Sequence, residues 1–368
     1  LQARRTRAPP IDFDYSTGHT RRRVTKQVLG WCARPAPSAL QLSAASSSSP
    51  RLRRFVSAAF AVPFAVPFAA CRFMKDRYAS IFRAGLFDGR VAIVTGGGSG
   101  IGRCTAHELA ALGCAVALVG RGADKLDAVL AELAAAGVPP ERASAHACDI
   151  RDEERVAATV AAVRARHGRI DYLVNNAGGQ FPAPLATISA KGWDAVLRNN
   201  LTGGFLMARE CFNQWMGEHA DEGPAIVNII ADMWHGMPGM GHSGAARAGM
   251  LNFTETAALE WAPVRVNAVA PGWIASSGMD RYPPEMGELI RELPKLVPAR
   301  RLGTESEVAA AITFLLSPAA GFVSGACLRV DGAAPNAKRI WPEVGMGGTT
   351  PAFDGFHLAQ TPKVLQGR

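Results

Sequence analysis

The sequence predicts an α/β protein, a doubly wound sheet of seven parallel strands with helices on both faces. Three observations predict it. From Gly89 onward short apolar strands alternate with amphipathic helical stretches, the rhythm of right-handed crossovers and a parallel sheet. A glycine-rich turn, TGGGSGIG at 95–102, stands between the first strand and the first helix. Five further apolar segments return at similar spacing and bring the strand count to seven.

In order, RVAIVT (90–95) is the first strand, IGRCTAHELAALG the first helix, AVALVG (115–120) the second strand and ADKLDAVLAELAAAG the second helix. ASAHACD, DYLVNNAG, AIVNIIAD, VRVNAVAPG and ACLRVDG complete the sheet. Residues 77–340 are expected to form this domain, 1–76 a basic low-complexity extension and 341–368 an irregular tail. Residues 1–73 hold twelve Arg and Lys against Asp12 and Asp14, while the remainder holds 28 basic and 29 acidic residues. The overall charge of +9 therefore belongs to the extension, and the near-neutral body gives no reason to expect a nucleic-acid partner.

The extension is rich in Arg, Ala, Ser and Pro and is expected to be disordered. Three readings of it stay open: upstream sequence read in frame before a start at Met74, a mitochondrial transit peptide, or a secretory signal built on 51–71. The first gives a cytoplasmic protein and the second a matrix one. Seven cysteines without a C-x-x-C pair argue against a disulfide framework and a zinc site, so no metal is expected. No apolar run is long enough to span a bilayer.

Glycines in the first turn let a backbone approach a pyrophosphate and aim a helix N-terminus at its charge. A tight turn without a ligand is the bland alternative, but the turn lies where dinucleotides bind in such sheets. About twenty residues on, where an NAD enzyme offers a carboxylate to the ribose, the second strand ends in Gly120-Arg121. An arginine suits a 2′-phosphate; a solvated surface arginine is the alternative. The expected cofactor is NADP(H).

TGGGSGIG, NNAG at 175–178, Asp149 ending the third strand, NNLTGGF at 199–205 and APG at 270–272 together resemble the short-chain dehydrogenase/reductase family over nearly all of residues 85–335. The resemblance implies a Rossmann-type fold and a homotetramer paired through the last strand and the long helices. It also implies a cofactor site built from Thr95, Gly96, Ser99, Gly100, Ile101, Gly102 and Arg121, with Asp149 and Ile150 at the adenine. Asn175, Asn176, Ala177 and Gly178 would follow on the ribose side, with Arg247, Pro271 and Gly272. NNAGGQF and IADMWHGMPGMGHSGAARAG are most similar to the branch containing the peroxisomal trans-2-enoyl-CoA and 2,4-dienoyl-CoA reductases.

The family's usual site joins serine, tyrosine, lysine and asparagine, the lysine lowering the tyrosine pKa so that the phenol protonates an alkoxide. Carried onto this chain, the asparagine is Asn200, the serine position falls on Ala231, the tyrosine becomes Ser243 and the lysine Arg247. Serine is a far poorer acid than a phenol but a competent donor. Arginine, protonated above pH 12 in its ordinary state, can fix a ribose but passes no protons. Of the tyrosines at 15, 78, 172 and 282, only Tyr282 lies where a loop could bring it over a substrate.

Reducing a carbonyl needs a proton at the oxygen. Reducing a carbon–carbon double bond conjugated to a thioester does not: charge gathers on the thioester oxygen as an enolate, and the α-carbon can take its proton from water. Such a site needs donors aimed at the oxyanion, and Asn200 and Ser243 are the expected ones. An acyl-CoA thioester is therefore the expected substrate class. Asp232 is either a proton shuttle or a solvated carboxylate, while His235 and His242 are expected to be structural. Residues 273–300, with Met279 and Met286, read either as a mobile lid over an apolar substrate or as core. Two further functions remain open: a dehydrogenase of acyclic alcohols or aldehydes using Tyr282 or water, and a catalytically silent nucleotide-binding relative.

Overall fold

The computed structural model describes residues 76–336 and 348–366. The expectation for the extension 1–76 lies almost wholly outside the described residues. The seven strands are β1 Val91–Thr95, β2 Ala115–Gly120, β3 Ala143–Ala147, β4 Tyr172–Asn175, β5 Ala225–Ile229, β6 Arg265–Pro271 and β7 Cys327–Val330. They form one parallel sheet in the order β3-β2-β1-β4-β5-β6-β7, which is the Rossmann-type architecture that the sequence predicts. The order reverses between β1 and β4, so a crevice opens at their carboxyl ends.

The helices are α1 Gly100–Ala111, α2 Ala123–Ala135, α3 Glu153–His167, α4 Ala190–Leu197, α5 Gly203–Cys211, α6 Gly241–Glu260, α7 Gly287–Leu296 and α8 Glu305–Leu316. Side chains alternate across a strand. In β1, Ala92 and Val94 accordingly pack with α1, α2 and α8 through Leu109, Leu126 and Ile312, whereas Val91 and Ile93 pack on the opposite face with Val160 of α3 and Met207 of α5. Both faces are apolar because both are covered.

Helix ends follow local chemistry. Asp152 caps α3 by accepting the Arg155 N–H at 3.1 Å, Glu153 and Glu154 fill its first turn, and Gly168 at φ 78° ends it. Thr304 and Glu307 form a capping box on α8. Between α4 and α5, Arg198–Thr202 form a π turn that carries Asn200.

The stretch after β6 contains short turns at Ser277–Arg281 and Pro284–Met286 followed by α7. Met279 is buried there with Ile290, Leu293 and Leu302, so its apolar bulk serves this segment's own core. The irregular tail packs closely. Phe356 is buried beside Tyr78 and His107 and lies under the Arg103 guanidinium, 5.0 Å from its ring centre. Further on, the Val364 N–H donates to Asp280 at 3.1 Å, and Val364 and Leu365 pack on the Met279 cluster. The tail thus runs from α1 to the segment that follows β6.

Candidate active site

The glycine-rich turn leads into α1 with Ser99 extended and no side chain capping the helix, and no acidic residue lies in its first turn. Gly100 has φ 59°, a conformation that favours glycine. The uncapped amides face a cleft of about 450 Å³ lined by Gly98, Ser99, Gly100, Arg103, Lys125 and Arg281, among others. Arg103, one of the three cations there, is itself held by Glu132 of the same cleft at 2.7 and 2.8 Å. Glu305 lines the same cleft, and burial raises its pKa to about 7. Lys125, four residues after Arg121 on α2, escaped the sequence reading; the four-residue spacing was the available signal.

Not every residue expected at the cofactor presents its side chain outward. Thr95 is fully buried: its hydroxyl donates to the Val174 carbonyl at 3.2 Å and accepts the N–H groups of Asn176 and Ala177, both at 2.9 Å. The Asn176 amide donates back to the Thr95 carbonyl at 2.9 Å. These bonds latch β1 to β4 beneath the crevice. Asn175, also buried, bonds Asn228 and the Gly204 carbonyl. Gly96, Ile101 and Gly102 complete the turn, and Pro271 and Gly272 end β6 across the crevice.

Exposed Arg121 follows β2, and Asp149 follows β3. The Asp149 carboxylate is gripped by Arg151, with Nε at 2.9 Å and Nη2 at 2.5 Å, which holds its pKa near 2. Arg151 is a partner the sequence reading missed. Ile150 is buried against Gly203.

The polar centre lies where α6, the π turn and the loop after β4 converge. Arg247 donates to the Ile229 carbonyl at 2.6 Å, and burial lowers its pKa to about 10. A Cβ on Gly178 would stand 2.6 Å from the Arg247 Nη2 and 2.7 Å from the Asn200 Oδ1, so only glycine admits both side chains.

Asn200 and Ser243, the donors expected at the oxyanion, are hydrogen-bonded within the protein. Both N–H bonds of Asn200 are engaged, donating to the carbonyls of Gly179 at 2.7 Å and Val196 at 2.8 Å, and its oxygen accepts the Gly179 N–H at 3.1 Å. The buried Ser243 hydroxyl donates to the Gln180 Oε1 at 2.5 Å, and the Gln180 Nε2 donates to the Tyr282 hydroxyl at 3.3 Å. Tyr282 does reach the site from the segment after β6. Gln180 joins the cluster unforeseen, although it stands in the NNAGGQF motif.

Asp232 lies apart from this chain of bonds. Burial and then Asp331 raise its pKa, while Arg329 and the Trp234 N–H oppose the shift. Its backbone N–H bonds the Pro271 carbonyl at 3.3 Å. Its neighbourhood is thus the β6–β7 end of the sheet, where Arg329 also lies 5.1 Å from the Trp234 ring centre. His242 is buried edge-on against Phe181, 4.5 Å between ring centres, and its Nδ1 accepts the Ser243 N–H at 2.9 Å. Among the described residues no cluster of metal-ligating side chains occurs, and no helix is long and apolar enough to cross a membrane.

The fold, the glycine-rich turn at the switch point and the polar cluster on α6 define a nucleotide-dependent oxidoreductase. The chain belongs to the short-chain dehydrogenase/reductase family: a family model described as enoyl-(acyl carrier protein) reductase matches residues 96–333. A probable 2,4-dienoyl-CoA reductase of Bacillus subtilis is 33% identical over 247 residues, 66% of this chain and 95% of that protein. The peroxisomal 2,4-dienoyl-CoA reductase of Danio rerio is 33% identical over 263 residues, 70% of this chain and 86% of the relative. Among solved structures, the citronellol catabolism dehydrogenase AtuB of Pseudomonas aeruginosa is 61% identical with a TM-score of 0.62, covering 70% of this chain and all of that one. Solved relatives with NADPH and with NADH bound are also similar, and the cofactor class is a nicotinamide nucleotide.

Proposed function

We propose that this protein is an NADPH-dependent reductase of α,β-unsaturated acyl-CoA thioesters, enoyl or dienoyl. The observation that carries the reading is the replacement on α6 of the family's phenol and amine by Ser243 and Arg247, which removes the acid that carbonyl reduction uses. The likeness to 2,4-dienoyl-CoA reductases supports it.

The residues suit the cofactor: uncapped α1 amides, Arg103, Lys125 and Arg121 would hold the phosphates, and Arg247 would hold the ribose side. When bound, the reduced nicotinamide supplies the hydride. Hydride addition at the β-carbon moves the π-electron pair through the α-carbon to the thioester oxygen, and water returns a proton to the α-carbon. The protein's part is to hold the conjugated chain flat against the cofactor and to place donors at the oxygen.

A second reading, oxidation of an acyclic alcohol, is favoured by the 61% identity to a citronellol catabolism dehydrogenase. One panel decides: crotonyl-CoA and a 2,4-dienoyl-CoA with NADPH or NADH, against citronellol with NADP⁺ or NAD⁺. Turnover of the thioesters with NADPH is expected. Turnover of citronellol alone overturns the proposal in favour of the dehydrogenase, and no turnover overturns it in favour of a silent nucleotide-binding protein. We also propose a homotetramer paired through the edge strand β7, where Leu328 is exposed and Phe322 stands fully in solvent. Light scattering at micromolar concentration tests this, and a monomer's mass would refute it.

A further inference from the structure

The hydrogen bonds of the Ser243–Gln180–Tyr282 chain leave an unexpected set of donors. Asn200 has two N–H bonds, and both reach backbone carbonyls. Ser243 has one O–H, and it reaches Gln180. An amide nitrogen carries two hydrogens and a phenol one. Gln180 uses one hydrogen on Tyr282, whose oxygen accepts it. One Gln180 N–H and the Tyr282 O–H are therefore the donors left in the Ser243–Gln180–Tyr282 chain. Gln180 is exposed at the crevice, whereas Ser243 is fully buried behind it.

We propose that Gln180 and Tyr282 are the residues that meet the oxygen of the hydride acceptor, and that Ser243 is a positioning residue acting through Gln180. The serine hydroxyl fixes which end of the amide points inward. With Oε1 held by Ser243, the amide can only present N–H toward Tyr282 and the crevice. Tyr282, accepting from Gln180, has its own hydrogen free to point at the acceptor. Tyr282, from the segment after β6 and 102 residues from the glutamine that orients it, thus acts as a hydrogen-bond donor to that oxygen and not as the proton source that carbonyl reduction needs. Asn200 contributes by clamping the Gly179 backbone immediately before Gln180.

The inference rests on the reductase reading, since it takes an oxygen as the place where charge develops. Its test is a double-mutant cycle on kcat with Ser243→Ala and Gln180→Leu, run with crotonyl-CoA and NADPH. Gln180→Leu should lower kcat about 100-fold, the loss typical of one oxyanion donor, with NADPH affinity unchanged and the thioester KM moved less than about threefold. Ser243→Ala should cost about 10-fold in the parent and nothing further in the Gln180→Leu background, because a residue acting through another has no effect once that other is gone. The same factor in both backgrounds would mean that Ser243 meets the substrate directly and would overturn the proposal.

Gln180→Glu gives a second readout that a merely structural role would not move. An ionised carboxylate accepts from both Ser243 and Tyr282 and draws the phenol's hydrogen away from the acceptor, whereas a protonated carboxyl restores one acceptor and one donor. Its kcat relative to the parent should rise as pH falls from 8 toward about 5, approaching the carboxyl range. A constant ratio across that interval would also sink the proposal. If the parent reduces no thioester but oxidises citronellol, the reductase reading fails and the same cycle on citronellol judges the donor assignment. A parent inactive on both overturns the two together.

Discussion

Arg281 and Tyr282 are neighbours in sequence whose side chains serve different chambers: Arg281 lines the phosphate cleft with Gly98 and Gly100, while the Tyr282 hydroxyl accepts from Gln180 at the polar centre. One short segment therefore touches both ends of the site. Nucleotide phosphates that attract Arg281 should also settle Tyr282. Arg281→Ala is expected to weaken NADPH binding about 5- to 50-fold, the range of one charge-assisted contact, and to lower kcat at saturating NADPH. Fluorescence titration and steady-state kinetics check this; a loss of affinity with kcat intact would show that the two chambers are independent.

Arg121 follows β2 without a carboxylate beside it at Gly120. Arg121→Ala should therefore weaken NADPH and leave NADH nearly unchanged, because only NADPH carries the 2′-phosphate. Equal losses for both cofactors in the same titration would contradict the NADPH assignment.

Glu305, which lines the cleft with Arg103 and Lys125, is expected to make nucleotide affinity depend on pH. Burial raises its pKa to about 7, so it is neutral below that pH and becomes an anion in the phosphate cleft above it. The sign follows: affinity should fall as pH rises through 7, from like-charge repulsion. Glu305→Gln should flatten the dependence between pH 6 and pH 8 and match the parent near pH 6. Parallel profiles for the two proteins would remove Glu305 from the cleft's electrostatics.

Phe356 anchors the tail beside α1. It is 3% exposed and lies beneath the Arg103 guanidinium, which also makes a two-point bond to Glu132 at 2.7 and 2.8 Å. Phe356→Ala should cost about 3 kcal/mol of stability, the lower end for a buried aromatic, and weaken NADPH several-fold by loosening Arg103. Phe356→Leu, which retains most of the volume, should recover most of the stability but less of the binding, since it lacks the ring face. Thermal melts beside cofactor titrations separate the two effects, and unchanged affinity in both variants would confine the tail to a structural role.

The sequence by itself determined the sheet, its helices and the crevice, because strand alternation, buried apolar runs and a glycine turn between β1 and α1 are local patterns. Resemblance to the family's motifs also pointed to Ser243 and Arg247 on α6 and to Asn200 on the π turn. It did not determine what those side chains do there. Whether Asn200 and Ser243 face a ligand depends on which acceptors stand within reach, and those are the Gly179 and Val196 carbonyls for Asn200 and, for Ser243, Gln180, 63 residues away. The tail from 348 to 366 shows no period that would announce an element, yet it packs against α1 through Phe356 and Leu358 and against the segment after β6 through Val364 and Leu365. Hydrogen bonds have a reach of about 3 Å and a direction. Only the tertiary structure brings distant residues within that reach, and so only it decides which donors are left for chemistry.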